Sequence, residues 1–159
     1  MRPATLAKTA AGVLATAVIG GLASRPAQSS WYAALKKPSF QPPRQAFPIV
    51  WPLLYADIAV VSASTMDQLS DDGRSGDARK YTALLALNLV LNGAWSWLFF
   101  NRRLLGTSAI AAAALTASSA ELTRRSIAVR GTPAVPLTIY PLWCAFATAL
   151  SSRIWSLNR

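Results

Sequence analysis

Five runs of this chain carry almost no charge, and that pattern limits the fold more than any other feature. Residues 9–24, 81–101, 104–120 and 132–152 contain no Asp, Glu, Lys or Arg, and 45–66 contains only Asp57. A helix that crosses a bilayer needs roughly 20 predominantly apolar residues. The runs at 81–101 and 132–152 have that length, and the run at 104–120 reaches it by continuing past Glu121 to about Ser126. Composition points the same way. Charged residues make up 14 % of the chain, against about 25 % in soluble domains, so much of the surface never meets water. The expectation is an all-α membrane protein, a five-transmembrane-helix bundle forming one domain over 1–159. The helices are expected at about 5–24, 43–66, 79–101, 104–126 and 133–156.

The first run admits two readings. Arg2, Lys8, a weak apolar stretch and the small residues Gly21-Leu22-Ala23 fit a cleaved signal peptide. Gly12, Thr16 and Gly20 fit a retained helix, because small residues four apart share one face and let a second helix approach closely. Residues 25–44 are rich in proline and basic side chains. Within them Pro38, Pro42 and Pro43 forbid a regular helix, while Pro42-Pro43 suits the start of the next one. Residues 67–80 read as a solvated turn, Asn101-Arg102-Arg103 as a tight link between antiparallel neighbours, and Gly131-Thr132-Pro133 as the lead into the last span.

The formal net charge is +10. A nucleic-acid partner is not indicated, because the bases form short clusters (Lys36-Lys37, Arg102-Arg103, Arg124-Arg125) between uncharged runs, as at membrane surfaces. With five spans the 16 Lys and Arg residues divide eight to each side, so the positive-inside rule gives no orientation. There is no histidine, which removes the commonest acid–base catalyst and metal ligand. The single Cys144 allows no intramolecular disulfide. Neither a Gly-rich phosphate loop nor a metal-binding spacing is present, so no metal and no required cofactor is expected.

Candidate binding residues emerge from helical periodicity. Asn88, Asn92, Trp95 and Phe99 fall within an arc of about 60° at 100° per residue. Two amides in hydrocarbon are costly unless paired, so this stripe faces the bundle interior. There it serves either to bond neighbouring helices or to wall a pocket with polar anchors beside an aromatic plate. The second span offers Trp51 and Tyr55 one turn apart, and the fifth offers Tyr140, Trp143, Phe146 and Ala147. Aromatic walls on three helices suit a planar ligand. Asp57 is an intramembrane acid, which either bonds a neighbouring helix or serves a proton-coupled solute pathway. Glu121 reads as a structural partner of Arg124 and Arg125.

Four stretches together carry a family resemblance. They are Trp31-Tyr32-x-x-Leu35-x-Lys37-Pro38-x-Phe40-x-Pro42-Pro43, Pro48-x-x-Trp51-x-x-Leu54-Tyr55, Leu91-Asn92-x-Ala94-Trp95-x-x-x-Phe99-Phe100 and Trp143-x-Ala145-Phe146-Ala147-Thr148-x-Leu150. In order and spacing the chain resembles the TspO/MBR family, the tryptophan-rich sensory proteins related to the mitochondrial translocator protein. The resemblance implies a retained first helix and a five-helix bundle that pairs as a homodimer. It also implies a proline-rich lid loop between helices 1 and 2, closing over a pocket. The implied ligand-binding residues are Tyr32, Pro42, Trp51, Asn92, Trp95, Trp143, Phe146 and Ala147, to which the stripe adds Asn88. The implied location is a bacterial inner (plasma) membrane with the N-terminus outside.

The function so implied is a membrane receptor or carrier for porphyrins (tetrapyrroles) or similar flat hydrophobic molecules, in transport, sensing or stress response. Lys36, Lys37 and Arg44 are placed to meet propionates. Two alternatives accompany it: light-dependent porphyrin degradation with Trp51 and Trp143 as the photochemically active residues, and proton-coupled export through Asp57. The chain also departs from the family. Ala149-Leu150-Ser151-Ser152-Arg153 lacks the tyrosine of the family's cholesterol-recognition segment, Ser151 replaces a frequent Asn, and Tyr140-Pro141 inverts the usual Pro-Tyr order.

Overall fold

Pro3 opens the first helix, α1 (Pro3–Ala23), at a position where its missing N–H removes no bond. The buried residues of α1 are Thr9, Val13, Thr16, Gly20 and Ala23, alternately four and three apart, which is one helix face. That face packs on α3 (Phe47–Asp71) and α4 (Ser75–Ser96). The contact is close because the face is small. Thr9 Oγ1 donates to the Ala59 carbonyl at 3.0 Å, and a side chain on Gly12 would begin 3.4 Å from Leu89. A short helix, α2 (Ser30–Ala34), lies between α1 and α3; Ser29 caps it by accepting from the Tyr32 N–H. The bundle is completed by α5 (Leu105–Arg130) and α6 (Ile139–Leu157), which make the most extensive helix pair. The computed structural model describes residues 1–159 and contains no strand.

Several boundaries differ from the sequence expectation: α5 runs on to Arg130, and a 3₁₀ stretch, Thr132–Thr138, precedes α6. The charged stretch 67–80 is mostly helical, with only Asp72, Gly73 and Arg74 between α3 and α4. Most of its charges are paired at helix ends rather than in a loop. Buried Asp67 accepts from the Arg2 backbone and from Thr5 Oγ1, and Arg74 pairs with Asp77 at 2.9 Å. Gly73, at φ 71°, makes the reversal, while the Arg74 N–H reaches back to the Leu69 carbonyl at 2.8 Å. Pro42-Pro43 does not begin α3. It leads into a 3₁₀ turn, Arg44–Ala46, and Pro48 occupies the first turn of α3 instead.

α4 widens at its end into a π-helical turn, Trp97–Asn101, closed by the Arg102 N–H on the Trp97 carbonyl at 3.1 Å. The link to α5 is as short as its sequence suggests, with Arg103 at φ 55°. Four segments are long and apolar enough to cross a membrane: Pro3–Gln28, Arg44–Asp71, Ser75–Asn101 and Thr132–Leu157. α5 is long enough but less apolar. Its inward face is built from Ser108, Ala112, Ser118, Ser119 and Thr123, whose hydroxyls mostly bond back to the helix itself. Hydropathy counts those hydroxyls as polar, although their hydrogen bonds are already made.

The connection 24–46 lies across one end of the bundle, and three contacts, the first at the last residue of α1, hold it there. Asn101 Nδ2 donates to the Ala23 carbonyl at 2.7 Å, and the Arg103 guanidinium sits 4.9 Å from the Trp31 ring centroid. The third is a clasp by the chain's last turn. Asn158 Oδ1 accepts from the Lys36 N–H at 2.9 Å, and Asn158 Nδ2 donates to the Lys36 carbonyl at 2.8 Å. Two exposed hydrogen bonds contribute about 1 kcal/mol each at most. Asn158→Ala should therefore open the connection more often. Trypsin cleavage after Lys36 is expected to speed up by about three- to tenfold, read by peptide mass against cleavage after Arg74 as an internal standard. An unchanged ratio would show that the clasp does not restrain the connection.

Candidate functional site

Between α1, α3, the end of α4 and the connection 24–46 lies a cavity of about 830 Å³. Its wall is divided by chemistry. α1 contributes small residues, and a side chain on Gly20 would begin 3.8 Å from Ser96 Oγ and 3.9 Å from the Tyr55 hydroxyl. α3 contributes Trp51 and Tyr55, stacked with centroids 5.4 Å apart and planes at 29°. α4 and its π turn contribute Trp95 and Phe100, edge-to-face at 6.5 Å. Tyr32 from α2 packs on Phe100 at 5.6 Å and closes the space beneath the connection.

Behind this wall runs a chain of buried hydrogen bonds that joins four helices. The Tyr55 hydroxyl donates to Asn92 Oδ1 at 3.0 Å, and Asn92 Nδ2 donates to the Tyr140 hydroxyl at 3.1 Å. Tyr140 donates to Asn88 Oδ1 at 2.8 Å, and Asn88 Nδ2 donates to Ser118 and Ser119 at 2.8 and 3.0 Å. Asn88 and Asn92 are 0 % and 1 % exposed. Trp95 turns its Nε1–H to Ser151 Oγ at 3.1 Å, so Ser151 is a hydrogen-bond partner of the wall.

The sequence-derived site residues thus separate into groups. Trp51, Trp95 and Tyr32 border the cavity directly. Asn88 and Asn92 stand one layer behind, bonded to other side chains, with Tyr55 between Asn92 and the cavity. Trp143 meets Trp51 edge-on at 6.4 Å on the side away from the cavity, Phe146 lies against Trp143 at 5.5 Å, and neither borders it. Ala147 and Pro42 are half-buried and likewise outside the wall. Asp57 is half-exposed midway along α3 and makes neither a hydrogen bond nor an ion pair.

Periodicity read the α1 face (Gly12, Thr16, Gly20) only as a helix contact and gave no place to Gln41 or Ser24, while Arg44 was expected only as a partner of propionates. Gln41, Arg44 and Ser24 all border the cavity. The sequence signal for the first two was the proline-rich spacing itself, which fixes backbone direction where no helix can. Of the basic residues there, only Arg44 reaches the cavity. Lys37 Nζ lies 4.4 Å over the Tyr32 ring and donates to the carbonyls of Tyr32 and Leu35 at 2.5 and 3.2 Å. Desolvation, and then the nearby Arg44 charge, lower the Lys37 pKa. Burial raises that of the Tyr32 phenol, partly offset by its Gln41 hydrogen bond and by Arg44.

The sequence is similar to those of several known proteins. The model of the TspO/MBR family matches residues 9–156. The translocator protein of Ovis aries is 35 % identical over 157 residues, covering 98 % of this chain and 88 % of that protein. The tryptophan-rich protein TspO of Archaeoglobus fulgidus is 34 % identical over 148 residues, 92 % of each chain. That of Bacillus cereus is 29 % identical over 133 residues, 84 % of each.

Proposed function

The chain belongs to the TspO/MBR family, and from that premise we propose that this integral multi-pass membrane protein binds tetrapyrroles or similarly flat apolar molecules in the cavity between α1, α3 and α4. The connection 24–46 serves as its lid, and α5 spans the membrane with the four more apolar segments. The protein sits in a bacterial plasma membrane with its N-terminus outside. It pairs with a second copy across the groove on the outer side of the α1–α4 contact, where Ala15, Ile19, Val90 and Trp97 are exposed.

One observation carries the ligand reading. A space of about 830 Å³ is walled by Trp51, Tyr55, Trp95 and Phe100, and small-molecule sites run to roughly 300–1,000 Å³ with mostly apolar and aromatic walls. Indole and phenol faces suit a conjugated ring better than a flexible chain, because stacking adds about 0.5–1.5 kcal/mol per pair beyond area burial. Without histidine, an iron-free porphyrin is favoured over haem.

The test is a titration of the purified protein with protoporphyrin in the dark, following tryptophan quenching. A saturable, one-site quench is expected in the natural sequence. In Gly20→Leu it is expected to fall at least about tenfold in affinity, because the new side chain starts beside Ser96 and Tyr55 and extends into the cavity. Circular dichroism checks that the variant remains helical. A quench that never saturates, or one that Gly20→Leu leaves intact, would remove the reading.

A further inference from the structure

Three unmet capacities meet at the lid end of the cavity. Gln41 Nε2 donates to the Tyr32 hydroxyl at 2.9 Å, so that hydroxyl is already an acceptor and its own proton is free to donate outward. Gln41 Oε1 is buried and accepts no hydrogen bond. Arg44 borders the cavity and has no acidic partner, although every acid at the opposite end of the bundle except Asp72 is paired with a base. A buried acceptor without a donor is unfavourable, and the guanidinium of Arg44, an exposed residue, is free to take an anion; both lie beside one aromatic cavity.

We infer that Arg44, Tyr32 and Gln41 form a head-group subsite that selects flat ligands ending in a carboxylate. One carboxylate oxygen meets the Arg44 guanidinium, and the other accepts from the Tyr32 hydroxyl. A carboxylate has no proton to donate, so Gln41 Oε1 takes a water that bridges to the same end of the ligand. All three residues belong to the lid, so an acidic ligand fastens the lid to itself, whereas a neutral one of the same shape leaves the Arg44 charge without an anion. The subsite therefore orients the ligand with its acid under the lid and its rings between Trp51 and Trp95. It also disfavours a neutral sterol, whose lone hydroxyl cannot satisfy a guanidinium. This inference rests on the cavity being the ligand site.

The experiment uses two pairs of probes on the full chain in detergent. These are protoporphyrin and its dimethyl ester, and 1-pyrenebutyric acid and its methyl ester. The natural sequence should bind each acid about tenfold more tightly than its ester, the low end for hydrogen bonds to a charged group because Arg44 is partly solvated. Arg44→Gln should bring the ratio close to one by weakening the acids and leaving the esters unchanged. Arg44→Lys should keep part of the preference, and Tyr32→Phe should lower it about threefold. Equal binding of acid and ester by the natural sequence, or a preference that survives Arg44→Gln, overturns the subsite. An acid preference seen with the pyrene pair but no porphyrin binding upholds the subsite and removes the tetrapyrrole reading. Binding of none of the four probes overturns both.

Discussion

Replacing Asn88 by Leu is expected to lower the thermal midpoint of the detergent-solubilised protein by about 5–15 °C, a larger loss than any single substitution at the cavity wall. The side chains are similar in volume, so the effect is one of bonding. Asn88 accepts from Tyr140 and donates to Ser118 and Ser119, and all three bonds disappear. Side-chain hydrogen bonds between membrane helices are worth about 0.6 kcal/mol on average and up to about 1.7. The Tyr140 hydroxyl, 0 % exposed, is also left with a proton and no acceptor, which adds about 1–3 kcal/mol. With three bonds at the average value, the sum is on the order of 3–5 kcal/mol.

Two further variants separate this from a general packing effect. In the double variant Asn88→Leu with Tyr140→Phe the orphaned hydroxyl is gone, so the loss should be smaller than the sum of the single losses by about 1 kcal/mol. Thr116→Val breaks a half-buried α5–α6 hydrogen bond to Thr148 and should cost under about 1 kcal/mol. Strict additivity in the first case, or an equal loss at Thr116, would contradict a bonded chain from Tyr55 to Ser119.

That chain also shows where sequence reasoning reached and where it stopped. The stripe of Asn88, Asn92, Trp95 and Phe99 was legible because an amide in hydrocarbon has to face a partner, and a helix places residues four and seven apart together. All four indeed turn inward. The partners were not legible, because Tyr140 and Ser118 lie tens of residues away and nothing local encodes their approach. On that account Asn92 could be read from sequence as a ligand anchor, whereas its bonds go to Tyr55 and Tyr140. The rotation of α6 was hidden for a similar reason. Tyr140, Trp143 and Ala147 share an arc, but close packing against α5 turns Tyr140, Cys144 and Ser151 inward and leaves Trp143 and Phe146 on the flank. The small face of α1 carries no chemical signal of its own. Gly20 becomes a cavity wall only because Tyr55 and Ser96 stand opposite.

Trp51→Ala should weaken protoporphyrin binding about a hundredfold, while Trp143→Ala should weaken it only about threefold. Trp51 is the wall itself. Its indole borders the cavity and is held at a fixed tilt by the Tyr55 ring stacked behind it. Buried aromatic anchors of this kind account for about 2–4 kcal/mol when truncated, and 1.4 kcal/mol is about a factor of ten. Trp51→Phe keeps a smaller ring in place and should lose about three- to tenfold. Trp143 supports Trp51 from the far side through an edge-on contact at 87°, and Phe47 leans on it at 5.9 Å. Its removal loosens the Trp51 rotamer without stripping area from the ligand. The measurement is the shift of the porphyrin Soret band, which does not depend on the tryptophan count, with the thermal midpoint of each variant as a check on folding. The order of the two losses decides the geometry. If Trp143→Ala cost as much as Trp51→Ala or more, the ligand would have to lie in the cleft between α3 and α6, and the cavity beside α1 would not be the binding site.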